Sequence, residues 1–270
     1  MKIDLANIRA KLSRSQEHAQ TIYGEIKAWI DREPYSLTKQ VNPDCTRYSL
    51  VLRENEPAPF KRWTLIFSDA LNNLRSALDY LVYEVAVIDT CTIPPAFERK
   101  LMFPLTDSDA DFDEAVRKRR VLGDISDPVR AVFKSLQPYH RPHPTLPPLL
   151  YILRELNNTD KHRLLNLAYG AITQGNLGLV GHHPPDGRKC QTLVAFGEIK
   201  DGTEVAANVF DRPTPNMEWD RTEMEIVVAV WHGKRDASAP EFTAYTELSG
   251  LLRLLISEVR TVIHTFLKDA

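Results

Sequence analysis

Two short stretches of the sequence gather side chains that could act on an anionic substrate. In LNNLRSALDY, residues 71–80, the Leu71, Leu74 and Leu78 spacing reads as one face of a helix, with Asn72, Asn73, Arg75, Asp79 and Tyr80 on the remaining sides. A guanidinium such as that of Arg75 can hold a phosphate, and the asparagines, Asp79 and Tyr80 could orient a substrate or one another. The second stretch, NNTDKHR at 157–163, contributes Asn158, Asp160, Lys161 and His162. An imidazole exchanges protons near neutrality, so Arg75 and His162 together would make an anion holder and an acid/base.

Each stretch also has a plainer use. Arg75 and Asp79 stand at i, i+4, a pairing worth a few tenths of a kcal/mol on a solvated helix, or they belong to a buried network that fixes helix register. Lys161, His162 and Arg163 sit where a helix would end, and cations there complement the negative end of the helix dipole. Residues five apart on a helix point about 140° from each other, so Arg75 and Tyr80 can share a small ligand only if a second surface closes the site. A homodimer would supply that surface.

Long helices must position these groups. Apolar residues recur by threes and fours from Leu5 to Trp29, from Phe67 to Ile88 and from Tyr245 to Phe266, with a shorter helix around Leu149 to Thr159. After Arg163 the helical period stops, and short apolar runs separated by Gly, Pro and Asp take over up to Trp231, with a hairpin signal at Asp201-Gly202. A further strand is expected at residues 47–53. The fold expected is therefore α+β, a helical bundle of about four long helices with an inserted antiparallel β-sheet of four or five strands. The bundle would comprise residues 1–163 and 238–270, and the insertion residues 164–237.

Composition narrows the functional classes. Hydrophobic residues make up 43% and charged residues 26% of 270, with a net charge of −2, so nothing global draws the chain to nucleic acid or to an anionic membrane. The dense basic run Arg117-Lys118-Arg119-Arg120 would end a helix beginning near Asp109, solvated there or set against a phosphate backbone. Three cysteines without CxxC spacing read as reduced thiols, and no apolar run reaches the length of a membrane span, which points to a soluble cytoplasmic chain with no membrane contact. His140 with His143, and the adjacent His182 and His183, lack carboxylate partners, so no metal and no cofactor are expected. Phosphate-binding loops, dinucleotide fingerprints and the common hydrolase motifs are absent.

The stretch SDALNNLRSALDYLVYE, with QPY at 137–139 and LNNTDKHRLL at 156–165, resembles a family of largely uncharacterised bacterial proteins that carry an "LRSALD" helix and a "DKHR" segment. That arrangement is distantly similar to the HEPN superfamily, whose members are helical bundles and often metal-independent ribonucleases with an Arg, four to six residues, then His. The resemblance implies an RNA partner, a homodimer and a catalytic role for Arg75. Tyr80 stands where the motif has histidine, and a phenol with a pKa near 10 cannot replace an imidazole in proton transfer. The expectation is an RNA-directed protein, either a metal-independent ribonuclease with His162 as its imidazole or a degenerate one. The alternative is a non-catalytic module whose polar cluster is structural and whose inserted sheet binds a protein partner or small ligand.

Overall fold

Helix α1, Ala6–Ile30, buries Ile8, Ser15, Ile22, Ile26 and Trp29, a narrow stripe at steps of seven, four and three residues. The structure is a computed structural model that describes residues 4–160, 167–170, 189–194, 199–215, 227–231 and 245–267. Among these are six α-helices and seven strands, an α+β fold. They form two compact units, one of residues 1–23, 61–165 and 249–270, the other of residues 24–60 and 166–248.

The first unit is helical. Its central element is α2, Phe60–Thr90, which buries Leu71, Leu74, Leu78 and Leu81 together with Phe67, Ala70, Ala77, Val82 and Val85. Burial on so much of the circumference marks a helix surrounded by neighbours, and it leaves few polar positions free of packing. The helix begins seven residues before the expected Phe67, directly after Pro59, which cannot continue a helix backwards through its own ring. Short helices α3, Asp109–Glu114, and α4, Asp127–Ser135, follow, then α5, Leu149–Asp160. The last helix, α6, Leu248–Thr265, buries Leu251, Leu252, Leu255, Val259 and Val262. Its expected start at Tyr245 is corrected: Tyr245–Glu247 is a strand, β7, because its backbone pairs with β6.

The second unit holds two antiparallel sheets rather than the single one expected. The four-stranded sheet runs β1, Tyr35–Val41; β2, Arg47–Glu54; β5, Glu204–Phe210; β4, Cys190–Val194, in the order β1-β2-β5-β4. The three-stranded sheet has the order β3-β6-β7, with β3 Leu167–Gly170 and β6 Val227–Trp231. The Asp201-Gly202 turn precedes β5, with Gly202 at φ +79, as the hairpin signal required, and β4 pairs β5 with Cys190 opposite Phe210.

The expected boundary at 163/164 therefore leaves out the β1–β2 hairpin, which belongs with the sheet unit. β2 lies between β1 and β5 and is buried on both faces from Tyr48 to Leu52. Its neighbour β1 is an exposed edge of mostly polar residues, which gave no apolar alternation to read. The turn joining them is specified by Asn42, whose Oδ1 accepts from the amides of Thr46 and Arg47 at 2.9 and 2.8 Å. Arg47 and Ser49 on β2 both donate to the Glu204 carboxylate on β5. The run LGLVG at 177–181 lies outside the described residues.

Candidate functional site

The polar flank of α2 meets the extended segment 101–107, which follows a short 3-10 turn at Glu98–Lys100 and belongs to neither sheet. Its backbone groups need partners from elsewhere, since buried amides and carbonyls left unpaired are costly. Side chains supply them. Arg75 Nη2 donates to the Phe103 carbonyl at 2.6 Å, and the Phe103 amide donates to Asp79 Oδ1 at 2.8 Å. The same Arg75 nitrogen lies 3.0 Å from Asp79 Oδ1, closing a ring of three groups. Further along, Arg154 on α5 donates to the Leu105 carbonyl at 3.2 Å, and the Thr106 amide donates to Gln137 Oε1 at 3.1 Å. Gln137 is fully buried and donates through Nε2 to Phe133 O. Tyr139, two residues on, donates to Asp109 at 2.9 Å; burial and this bond push the phenol further above its ordinary pKa.

The landmarks that stood out in the sequence, Arg75, Asp79 and the QPY turn, thus share one observed task, which is holding an unpaired backbone segment against the bundle. The Arg75 side chain is only 18% exposed. Burial lowers its pKa from the ordinary value, with the Asp79 charge and hydrogen bond opposing that shift. An i, i+4 pair that looked like solvated trim is part of a backbone clamp, because the flank of α2 faces another segment instead of water.

Tyr80 is 40% exposed and opens onto a surface cleft of 340 Å³ shared with Ser76, Tyr83 and the carboxylates of Asp79, Glu84 and Glu98. No cation among the described residues lines this cleft. A phosphate would meet like charge there. Asn73 donates to the Asp69 carbonyl and Ser76 to the Asn72 carbonyl, ordinary back-bonding to the preceding turn, and Asn72 is exposed.

The second suspect stretch is only partly described. Asn158 is exposed on the last turn of α5 and Asp160 ends the helix, while Lys161, His162 and Arg163 lie outside the described residues. Their neighbour Asn157 is buried, and its Oδ1 has no partner among the described residues. In the proline-rich loop, His143 Nδ1 accepts from the amides of Thr145 and Leu146 at 3.3 and 3.2 Å. All three cysteines are free, and no helix among the described residues is long and apolar enough to cross a membrane.

A different cationic surface, missed in the sequence except for its second half, lies on the same unit. The basic run is not the end of one continuous helix: α3 gives way to a π-turn at Ala115–Arg119, and Arg120 closes it at φ +58. Arg120 then sits 5.4 Å from the centre of the Phe97 ring, with Lys100 Nζ 5.8 Å from it. Phe97 is 42% exposed, and Arg99, Lys100, Arg117, Lys118, Arg119 and Arg120 are all exposed. Lys118 pairs with Glu114 at 3.0 Å; the other five cations have no carboxylate partner among the described residues. The two basic segments are joined by the Met102 amide, which donates to Val121 O at 2.9 Å, and by Gly123 at φ +56, where a Cβ would stand 2.8 Å from Ala96 O.

No family model matches the chain, and no match to it was found among curated proteins or solved structures.

Proposed function

We propose that this chain is an RNA-directed protein that binds single strands without cleaving them, a non-catalytic relative of the HEPN-like bundles that its Arg75 helix resembles. One observation carries the reading: the exposed Phe97 ring is flanked by Lys100 and Arg120 within a group of cations that lack carboxylate partners. An exposed aromatic ring among unpaired cations is the composition that single-stranded nucleic acid requires, since bases stack on the ring and on guanidinium planes while phosphates take the charge. A duplex offers no unstacked base to the ring, so single strands are the substrate class.

Loss of cleavage follows from the chemistry of the α2 motif. Arg75 is engaged with Phe103 O and Asp79, Tyr80 replaces the imidazole, and the cleft at Tyr80 is acidic. The reading needs no second copy of the chain, because Phe97, Lys100 and Arg120 lie together on one chain.

The test is fluorescence anisotropy with a labelled single-stranded RNA of about 12 nucleotides, in excess chelator, followed by electrophoresis of the same RNA. The wild type is expected to bind and leave the RNA intact, and Phe97→Ala to weaken binding about tenfold, the loss of one stacked base. Absence of binding by the wild type at low salt would overturn the proposal. So would chelator-resistant cleavage that disappears in Arg75→Ala, which would restore the ribonuclease reading.

A further inference from the structure

The first half of α1 and the length of α6 run antiparallel and leave a groove between them. Two cavities of 310 and 320 Å³ lie along it and share Gln16 and Arg260, so they are one continuous trough. One end is marked by Leu5 and Leu267, the other by Ala19 and Arg253. From Arg253 to the end of α6 at Thr265 is about 18 Å of helix, enough to seat about three turns of an incoming helix.

The floor is apolar: Leu12 and Ala19 are half-buried, with Ile256 and Ile263, both buried, beneath them. The lips are basic: Arg9, Arg253 and Arg260 are exposed and have no carboxylate partner among the described residues. Arg253 and Arg260 are a heptad apart, on one side of α6. No carboxylate among the described residues lines the trough.

We infer that this groove docks one amphipathic helix of a partner protein, its apolar stripe on the floor and carboxylates a heptad apart on its flank facing Arg253 and Arg260. The helix-in-groove mode supplies the shape, and charge complementarity selects the partner. A second copy of the chain docking through this face would set arginine against arginine, so self-association is disfavoured. A nucleic-acid backbone would use the lips and leave the apolar floor against water. The groove shares no residue with the Phe97 surface, so the inference stands or falls apart from the RNA reading.

The probe is a synthetic helix of about three turns with Leu at core positions and Glu on both flanks, compared with the same peptide carrying Lys in place of Glu. Binding is followed by fluorescence anisotropy against wild type and Arg253→Glu/Arg260→Glu, a double variant of exposed residues whose thermal melt is checked first. The Glu peptide is expected to bind wild type at least tenfold tighter than the variant, with the Lys peptide showing the reverse preference. Failure of the Glu peptide to bind wild type at about 0.1 mM, or equal affinity of the two peptides, would overturn the inference. Concentration-dependent dimerisation lost in the double variant would assign the face to self-association instead, and single-stranded RNA binding lost there would assign it to nucleic acid; either result overturns it.

Discussion

Arg75 is held in place by the backbone it supports, and at 18% exposure its side chain offers little surface to a substrate phosphate. Its nitrogen bridges Phe103 O and Asp79 Oδ1, and the side chain is largely removed from water. Arg75→Ala strips a charged donor from a carbonyl and a carboxylate and is expected to cost about 2 kcal/mol in urea unfolding. The salt slope of RNA binding should be unchanged, since Arg75 is not one of the cations around Phe97. Unchanged stability with lost RNA binding would instead make Arg75 a phosphate holder. Tyr80 illustrates the converse: it is exposed and aromatic, yet its neighbours Asp79, Glu84 and Glu98 turn its cleft against anions.

At the scale of elements, turns and strand pairs carry the consequences. The turn at Gly123 presses on Ala96, next to Phe97, and a side chain there would have to adopt φ +56 while overlapping the Ala96 carbonyl. Gly123→Ala is expected to destabilise the chain by about 1–3 kcal/mol, read as a lower urea midpoint, and to weaken RNA binding by shifting the Phe97 turn away from Arg120. Between β2 and β5, the hydrogen bond from Arg47 holds the Glu204 carboxyl below its ordinary pKa of 4.5, aided by Ser49 and opposed by desolvation. A depressed folded pKa means that the unfolded chain takes up the proton first as pH falls. The stabilisation is therefore complete above about pH 4.5 and is lost as the pH falls below it. Thermal melts of wild type and Glu204→Gln should differ most near neutrality and converge towards pH 3. A gap that persists at low pH would show that the carboxylate charge is not what pairs the strands.

Over the whole molecule, the net charge of −2 conceals an uneven distribution, with an acidic cleft at Tyr80 and unpaired cations around Phe97 and along the groove of α1 and α6. Single-strand binding governed by such a patch must weaken with salt. In the RNA titration above, Arg119→Ala/Arg120→Ala should lower the slope of log affinity against log salt by roughly 1.4, about 0.7 for each phosphate contact removed. Phe97→Ala should lower affinity with the slope unchanged, because stacking releases no counterions. The separation of the two effects distinguishes a stacking platform from diffuse attraction to a basic surface.

What the sequence determined by itself was whatever depends on local period. The seam of Leu71, Leu74, Leu78 and Leu81 is buried as its spacing required, α1 and α6 follow their apolar stripes, and Asp201-Gly202 turns where glycine allows a positive φ. The roles of side chains on helix flanks were not legible, because a flank is neither core nor solvent until a second segment arrives. Segment 101–107 has no pattern of its own, and it turns Arg75 and Asp79 from candidate chemistry into a clamp, with Gln137 as a further holder. The edge strand β1 escaped for a related reason: its register with β2 is fixed by backbone pairing and the Asn42 turn, not by apolar alternation. The Phe97 surface likewise required contact between residues 97–100 and 117–120. Periodicity is written along the chain, whereas charge pairing, burial of a flank and the meeting of two loops are distances in space, and only the tertiary structure sets them.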